Sequence, residues 1–176
     1  MKRLALSVTL GVVVGFGLTF GLSAAAVTAP TEATARPDGL GQHASTAADL
    51  AAIAAVLDRY TQCVTAGDET GFRALLLDDD IPFSAIPPGR SVGDMTTVNL
   101  RRYAGFRDAV FRSGQRFEQS FHNVRIAQDG PLAQASLDFV TRSGHGGSAG
   151  WKVLQLVKTP DGWKIASELF TVRSLR

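Results

Sequence analysis

Acid–base chemistry needs a group that can carry a proton near neutrality, a carboxylate or a polarising hydroxyl, and a fold that brings them together. His122 is the strongest proton carrier in this chain, since an unperturbed imidazole titrates at about pH 6.5. Tyr60 offers a hydroxyl, and Asp138 and Glu168 offer carboxylates on strand-like stretches. Each also has a structural reading. Tyr60 falls on the apolar stripe of a helix, and His122 can bond a neighbouring strand or face water. Asp138 stands opposite the apolar face of its own strand and is expected to be exposed. Glu168 alternates with Leu169, and either could face the interior.

Other candidate motifs carry less. Asp78-Asp79-Asp80 are adjacent and point in different directions, unlike the spaced ligands of a calcium loop. The three histidines, His43, His122 and His145, lack zinc spacing, and no helix follows Gly144-His145-Gly146-Gly147 to make a phosphate loop. No metal and no cofactor are expected. Cys63 is the only cysteine, which excludes an intramolecular disulfide and suits a small buried residue.

The elements that must position these residues follow from periodicity. Thr46 reads as an N-cap with Asp49 three residues on, and Leu50, Ile53, Leu57, Tyr60 and Val64 draw one helical stripe that ends at Gly67. Asp68 caps a second helix carrying Phe72, Leu75 and Leu76. Residues 81–86 predict a short extended piece, held to an edge by Pro82, before the break at Pro87-Pro88-Gly89. A third helix is predicted from Thr96 or Thr97 to about Arg112, with Tyr103, Phe106 and Phe111 among its apolar residues. Strands are predicted over 117–127, 132–141, 151–159 and 163–172, with turns at Asp129-Gly130 and Pro160-Asp161-Gly162. Ser143 to Gly150 reads as a loose glycine-rich connection, and Trp151 and Trp163 as core or interface aromatics. Helices followed by an antiparallel meander predict an α+β domain, a curved sheet of about four to six strands covered by three N-terminal helices.

The start of the chain points outward. Lys2 and Arg3 precede an uncharged run from Leu4 to Leu22, broken by glycines, and Ser23-Ala24-Ala25-Ala26 offers small residues for a signal peptidase. Residues 1–26 are therefore expected to be a cleaved signal and 27–45 a disordered linker, with the domain at 46–176. The alternative is an anchor over 4–22, the only route by which a membrane would be a partner. The charges, 18 basic and 16 acidic, balance at 16 each without Lys2 and Arg3. A neutral domain with no basic run is a poor nucleic-acid binder.

Leu57-Asp58-Arg59-Tyr60, Ala66-Gly67-Asp68, Phe72 and Leu77-Asp78-Asp79-Asp80 together resemble the opening of the nuclear transport factor 2-like superfamily, which includes ketosteroid isomerases and polyketide-cyclase-like proteins. His122-Asn123-Val124 with Asp129-Gly130, and Asp161-Gly162-Trp163-Lys164-Ile165, resemble its later hairpins, so the likeness covers about residues 47–172. The resemblance implies a cone of bent sheet with a pocket at its wide end, lined here by Tyr60, Phe83, Ser84 and Phe106, and often a homodimer through the outer sheet face. In the isomerases a carboxylate base works with a tyrosine and a protonated aspartic acid. Tyr60 matches the tyrosine, but the base position falls on Ser84 and the second acid near Leu154, with Val153 and Gln155 beside it. Two functions stay open. The first, leaning away from an enzyme, is an exported domain that binds a small apolar or amphipathic molecule or a protein. The second is a small lyase or isomerase using Tyr60 with His122 or Glu168; a His–Asp pair with Tyr60 would resemble the dehydratase-type members. A cone filled by Phe72, Phe83, Leu137 and Leu154 would leave only the protein-binding form of the first.

Overall fold

The computed structural model describes residues 38–86 and 102–175. The expected signal, most of the linker, the break at 87–89 and the start of the third helix lie outside the described residues. The chain divides into a unit Met1–Leu40, of which 38–40 are described as a turn, and a unit Gly41–Arg176.

Helix α1 spans Ala47–Ala66, opened by Thr46, whose hydroxyl accepts from Asp49 N, and closed by Gly67 in the left-handed region at φ 71°. Its buried face is Asp49, Ile53, Leu57, Tyr60, Cys63 and Val64, so Leu50 is displaced from the expected stripe to a half-buried flank. Asp49 takes the buried place because four partners hold it: Trp163 Nε1 at 3.0 Å, Gln128 Nε2 at 3.2 Å, Lys158 Nζ at 2.6 Å and the Thr46 hydroxyl at 2.9 Å. This cluster also anchors the preceding segment, since Thr46 N donates to Gln128 Oε1 and Ala44 N to Asp129 Oδ1. Residues 43–45, expected in a disordered linker, are thus bound to the sheet.

Helix α2 is a single turn, Glu69–Arg73, capped by Asp68. After it Leu76 bridges to Ile165, so the second helix is shorter than its apolar residues suggest. Strand β1, Phe83–Ile86, lies at the sheet edge, as Pro82 requires, but runs parallel to its neighbour rather than antiparallel. Helix α3 begins only at Tyr103 and ends at Val110; Arg102 is extended (φ −86°, ψ 168°) and bridges to Pro82, which stops the helix from running through it.

Strands β2 (Phe117–Asp129), β3 (Leu132–Ser143), β4 (Gly146–Thr159) and β5 (Gly162–Thr171) form the meander, and β6 (Arg173–Leu175) folds back onto β4. Among the described residues the six-stranded sheet has the order β1-β5-β4-β3-β2. The expected loose connection at 143–150 is instead a tight turn and the start of β4. Gly147 and Gly150 lie where β6 and the end of β5 pass close by. A Cβ on Gly150 would lie 1.8 Å from the Thr171 carbonyl oxygen, and one on Gly147 3.1 Å from Leu175.

Two irregularities decide which side chains reach the helices. In β2 the register shifts between His122 and Arg125, where Asn123 adopts φ 52°. Up to it the odd residues Phe117, Gln119 and Phe121 face inward; beyond it the even residues Ile126 and Gln128 do. In β5 the partners step from Leu156↔Ile165 to Gln155↔Ser167, leaving Ala166 as an extra residue. The inward set changes there from Trp163 and Ile165 to Glu168 and Phe170.

Candidate functional site

The helix-facing side of the sheet holds a buried polar cluster. Tyr60 reaches down from α1, Lys152 up from β4 and Glu168 from β5. Lys152 Nζ lies 2.7 Å from Glu168 Oε1 and 2.7 Å from the Tyr60 hydroxyl oxygen, and that hydroxyl donates to Glu168 Oε1 at 3.1 Å. All three residues are essentially without solvent exposure. The ammonium also lies over four rings, 4.4 Å from the centroid of Tyr60 and 5.0–5.3 Å from those of Phe121, Phe139 and Phe170.

Burial acts against the charged form of each group. It pushes the Glu168 carboxyl up, opposed by Lys152, and pulls the Lys152 ammonium down, opposed by Glu168. The Tyr60 hydroxyl is raised well above its ordinary value by burial and by the Glu168 charge. The cluster therefore keeps Tyr60 protonated, and the attraction between Lys152 and Glu168 offsets the cost of placing both out of water.

Polar capacity is left over. Glu168 Oε2 is buried and has no hydrogen-bond partner among the described residues, and the same is true of Gln119 Oε1 on β2. The Gln119 side-chain nitrogen is committed to Thr141 Oγ1 at 3.0 Å. An ammonium has three N–H donors, of which Tyr60 and Glu168 take two.

The side chains packed around the cluster are largely aromatic. The rings of Tyr60, Phe72, Phe83, Tyr103 and Phe106 pack directly on one another, with Tyr60–Phe72 at 4.6 Å and Phe83–Phe106 at 4.5 Å. Phe72, Phe83, Leu137 and Leu154 are all buried and form a solid floor. Phe106, Val110, Phe111, Phe117, Phe121, Phe170 and Val172 are only partly buried against this core. Of these, Phe121 and Phe170 lie beside the polar cluster, their ring centroids 5.3 and 5.2 Å from the Lys152 ammonium.

Comparison with solved structures places this architecture. A nuclear transport factor 2-like protein of unknown function from Shewanella baltica superposes with a TM-score of 0.51 at 15% identity, covering 74% of this chain and 98% of that one. A conserved protein from Planctomyces limnophilus gives 0.53 at 21% identity, covering 73% and 98%. A nuclear transport factor 2-like protein with a cystatin-like fold from Novosphingobium aromaticivorans gives 0.51 at 16%, covering 71% and 82%.

The domain has the nuclear transport factor 2-like fold.

No family model matches the chain, and the search of curated proteins finds no match. On this nuclear transport factor 2-like scaffold, the sequence-expected residues separate. Tyr60 and Glu168 come together. Phe83 and Ser84 are buried on β1, where Phe83 pairs in register with Glu168, and Phe106 packs on Phe72 and Phe83 from α3. His122 does not join them: it is exposed on the outer sheet face, its Nε2 3.0 Å from the Ser120 hydroxyl. The physical reason is its parity, opposite to that of Phe121 in the same strand. Asp138, paired in register with His122, also lies outside and accepts from Asn123 Nδ2 at 2.8 Å. Leu154 is core, Val153 half-buried and Gln155 exposed.

Lys152 went unrecognised in the sequence. Its signal was present, since it shares strand parity with the apolar Leu154 and Leu156, and a lysine in such a row marks an interior charge. Gln119 carries the same signal between Phe117 and Phe121. Cys63 is a buried thiol whose ionisation burial suppresses. The acidic run is a solvated turn: Asp79 pairs with Arg73 and Asp80 with Arg102. Among the described residues no group of metal-ligating side chains converges.

Proposed function

We propose that this is an exported, non-catalytic binding domain that takes a small apolar or amphipathic molecule beside Phe121 and Phe170. The observation that carries the reading is Glu168 Oε2, a buried carboxylate oxygen without a partner among the described residues, in a cluster flanked by the partly buried rings of Phe121 and Phe170. Native structures rarely leave such an atom unsatisfied unless a ligand or water completes it. The filled floor counts against a deep pocket, so a small molecule would have to seat at the partly buried Phe121 and Phe170.

The catalytic alternative is supported less. Tyr60 and Glu168 are adjacent, but the proton carrier His122 is on the opposite face. Glu168 Oε1 is also already engaged by Lys152 and the Tyr60 hydroxyl. Pairing with a second copy through the outer sheet face belongs to the same proposal. Trp151 is 51% exposed there and Leu169 38%.

Native mass spectrometry of protein purified after export of the full chain tests the reading. A small-molecule adduct and a dimer are expected, with a mature N-terminus after Ala26. The absence of any adduct overturns the binding role, a strict monomer removes the dimer, and a sequence beginning at Met1 removes the cleaved signal.

A further inference from the structure

We infer that the bound molecule is neutral, with an apolar body and one hydroxyl that donates to Glu168 Oε2; this rests on the binding reading above and names the ligand's chemistry. The argument begins with charge. Lys152 and Glu168 already neutralise each other at 2.7 Å, at 2% and 0% side-chain exposure. An anionic ligand would face the Glu168 carboxylate across a short gap in a poorly screened interior. A cationic one would compete with Lys152 for the same carboxylate. Either leaves an uncompensated buried charge, which is strongly unfavourable. A neutral molecule does not.

Hydrogen-bond capacity then selects the polar group. Besides the Tyr103 hydroxyl on α3, which can donate or accept, the leftover buried atoms are acceptors, Glu168 Oε2 and Gln119 Oε1. A ligand that only accepts, such as a ketone or ether, leaves both unsatisfied. The third N–H of Lys152 is the one leftover donor of the cluster. A hydroxyl both donates and accepts, so it suits a carboxylate oxygen next to an ammonium. The rings of Phe121 and Phe170 beside the ammonium are only partly buried and offer apolar surface for the rest of the molecule.

Benzyl alcohol, toluene and benzoate share a ring and differ in this one group, so calorimetric titration of the full chain with each probe tests the inference. Benzyl alcohol is expected to bind about 10- to 100-fold more tightly than toluene, the range for a hydrogen bond to a charged group. Benzoate is expected to bind more weakly than benzyl alcohol. In the double variant Lys152→Met/Glu168→Leu, which swaps the ion pair for apolar groups, toluene binding should persist and the preference for benzyl alcohol should vanish. Equal binding of toluene and benzyl alcohol, tighter binding of benzoate, or a preference that survives the double variant overturns the hydroxyl assignment while leaving a binding site. If none of the three binds, the binding reading falls with it.

Discussion

Lys152 Nζ and Glu168 Oε1 lie 2.7 Å apart, with no more than 2% of either side chain exposed, and the Tyr60 hydroxyl touches both. Removing one partner strands the other. Lys152→Met is therefore expected to cost about 3–5 kcal/mol, because Glu168 is left as an uncompensated buried charge. The double change Lys152→Met/Glu168→Leu should recover most of that loss. Urea denaturation of the single and double variants checks both. A single variant as stable as the parent would show that the pair is not charged in the folded state.

His122 sits outside the cone. His122→Ala should change stability by no more than about 0.5 kcal/mol, as for a surface site. It should also leave probe binding unchanged. Tyr60→Phe, by contrast, takes from Lys152 and Glu168 a shared partner and should cost about 1–3 kcal/mol. Denaturation and titration on the two variants side by side separate the roles. An effect of His122→Ala on probe affinity would bring the histidine back into the site.

The pH dependence of stability should report on Asp49. Lys158 holds its carboxyl well below the usual carboxylate range, helped by Trp163, Thr46 and Gln128. With the folded value depressed, the contribution is fully present above the unfolded value of about 3.9. It is lost as pH falls from there through the folded value. The melting temperature of the parent should thus exceed that of Asp49→Asn at pH 7, and the gap should narrow below about pH 4. A gap that widens on acidification would reverse the assignment.

Gly150 and Gly144 offer a steric test of how β4 begins. A Cβ at Gly150 meets the Thr171 carbonyl at 1.8 Å, a backbone atom that cannot swing aside, so Gly150→Ala should cost about 3 kcal/mol or more. Gly144 has nothing within 4 Å, and Gly144→Ala should be neutral to about 0.5 kcal/mol. Chemical denaturation of both reads the difference directly. Equal effects would mean that the end of β5 does not lie against β4 as described.

Much of the architecture is legible without coordinates. The Thr46 cap, the stripe through Ile53, Leu57 and Tyr60 and the Gly67 stop are local chemistry, and α1 forms where they place it. The alternation of Ala133, Ala135, Leu137 and Phe139 likewise assigns the inner face of β3. Pro82 holds β1 to an edge because it has no amide to donate. These features depend on residues within a few positions of one another.

What only the tertiary structure decided is which side chains meet. Periodicity left Glu168 and Leu169 equally able to face inward. The extra residue Ala166 shifts the register of β5 against β4, and that shift turns Glu168 toward Tyr60 and Lys152 and Leu169 toward solvent. In β2 the irregularity at Asn123 changes the inward parity beyond His122, which stays outside. A β-bulge is a relation between two strands and leaves no periodic mark on either sequence. The sequence of this protein determined its elements and their faces within each regular stretch. Strand pairing across bulges determined that its polar centre is Tyr60, Lys152 and Glu168, with His122 excluded.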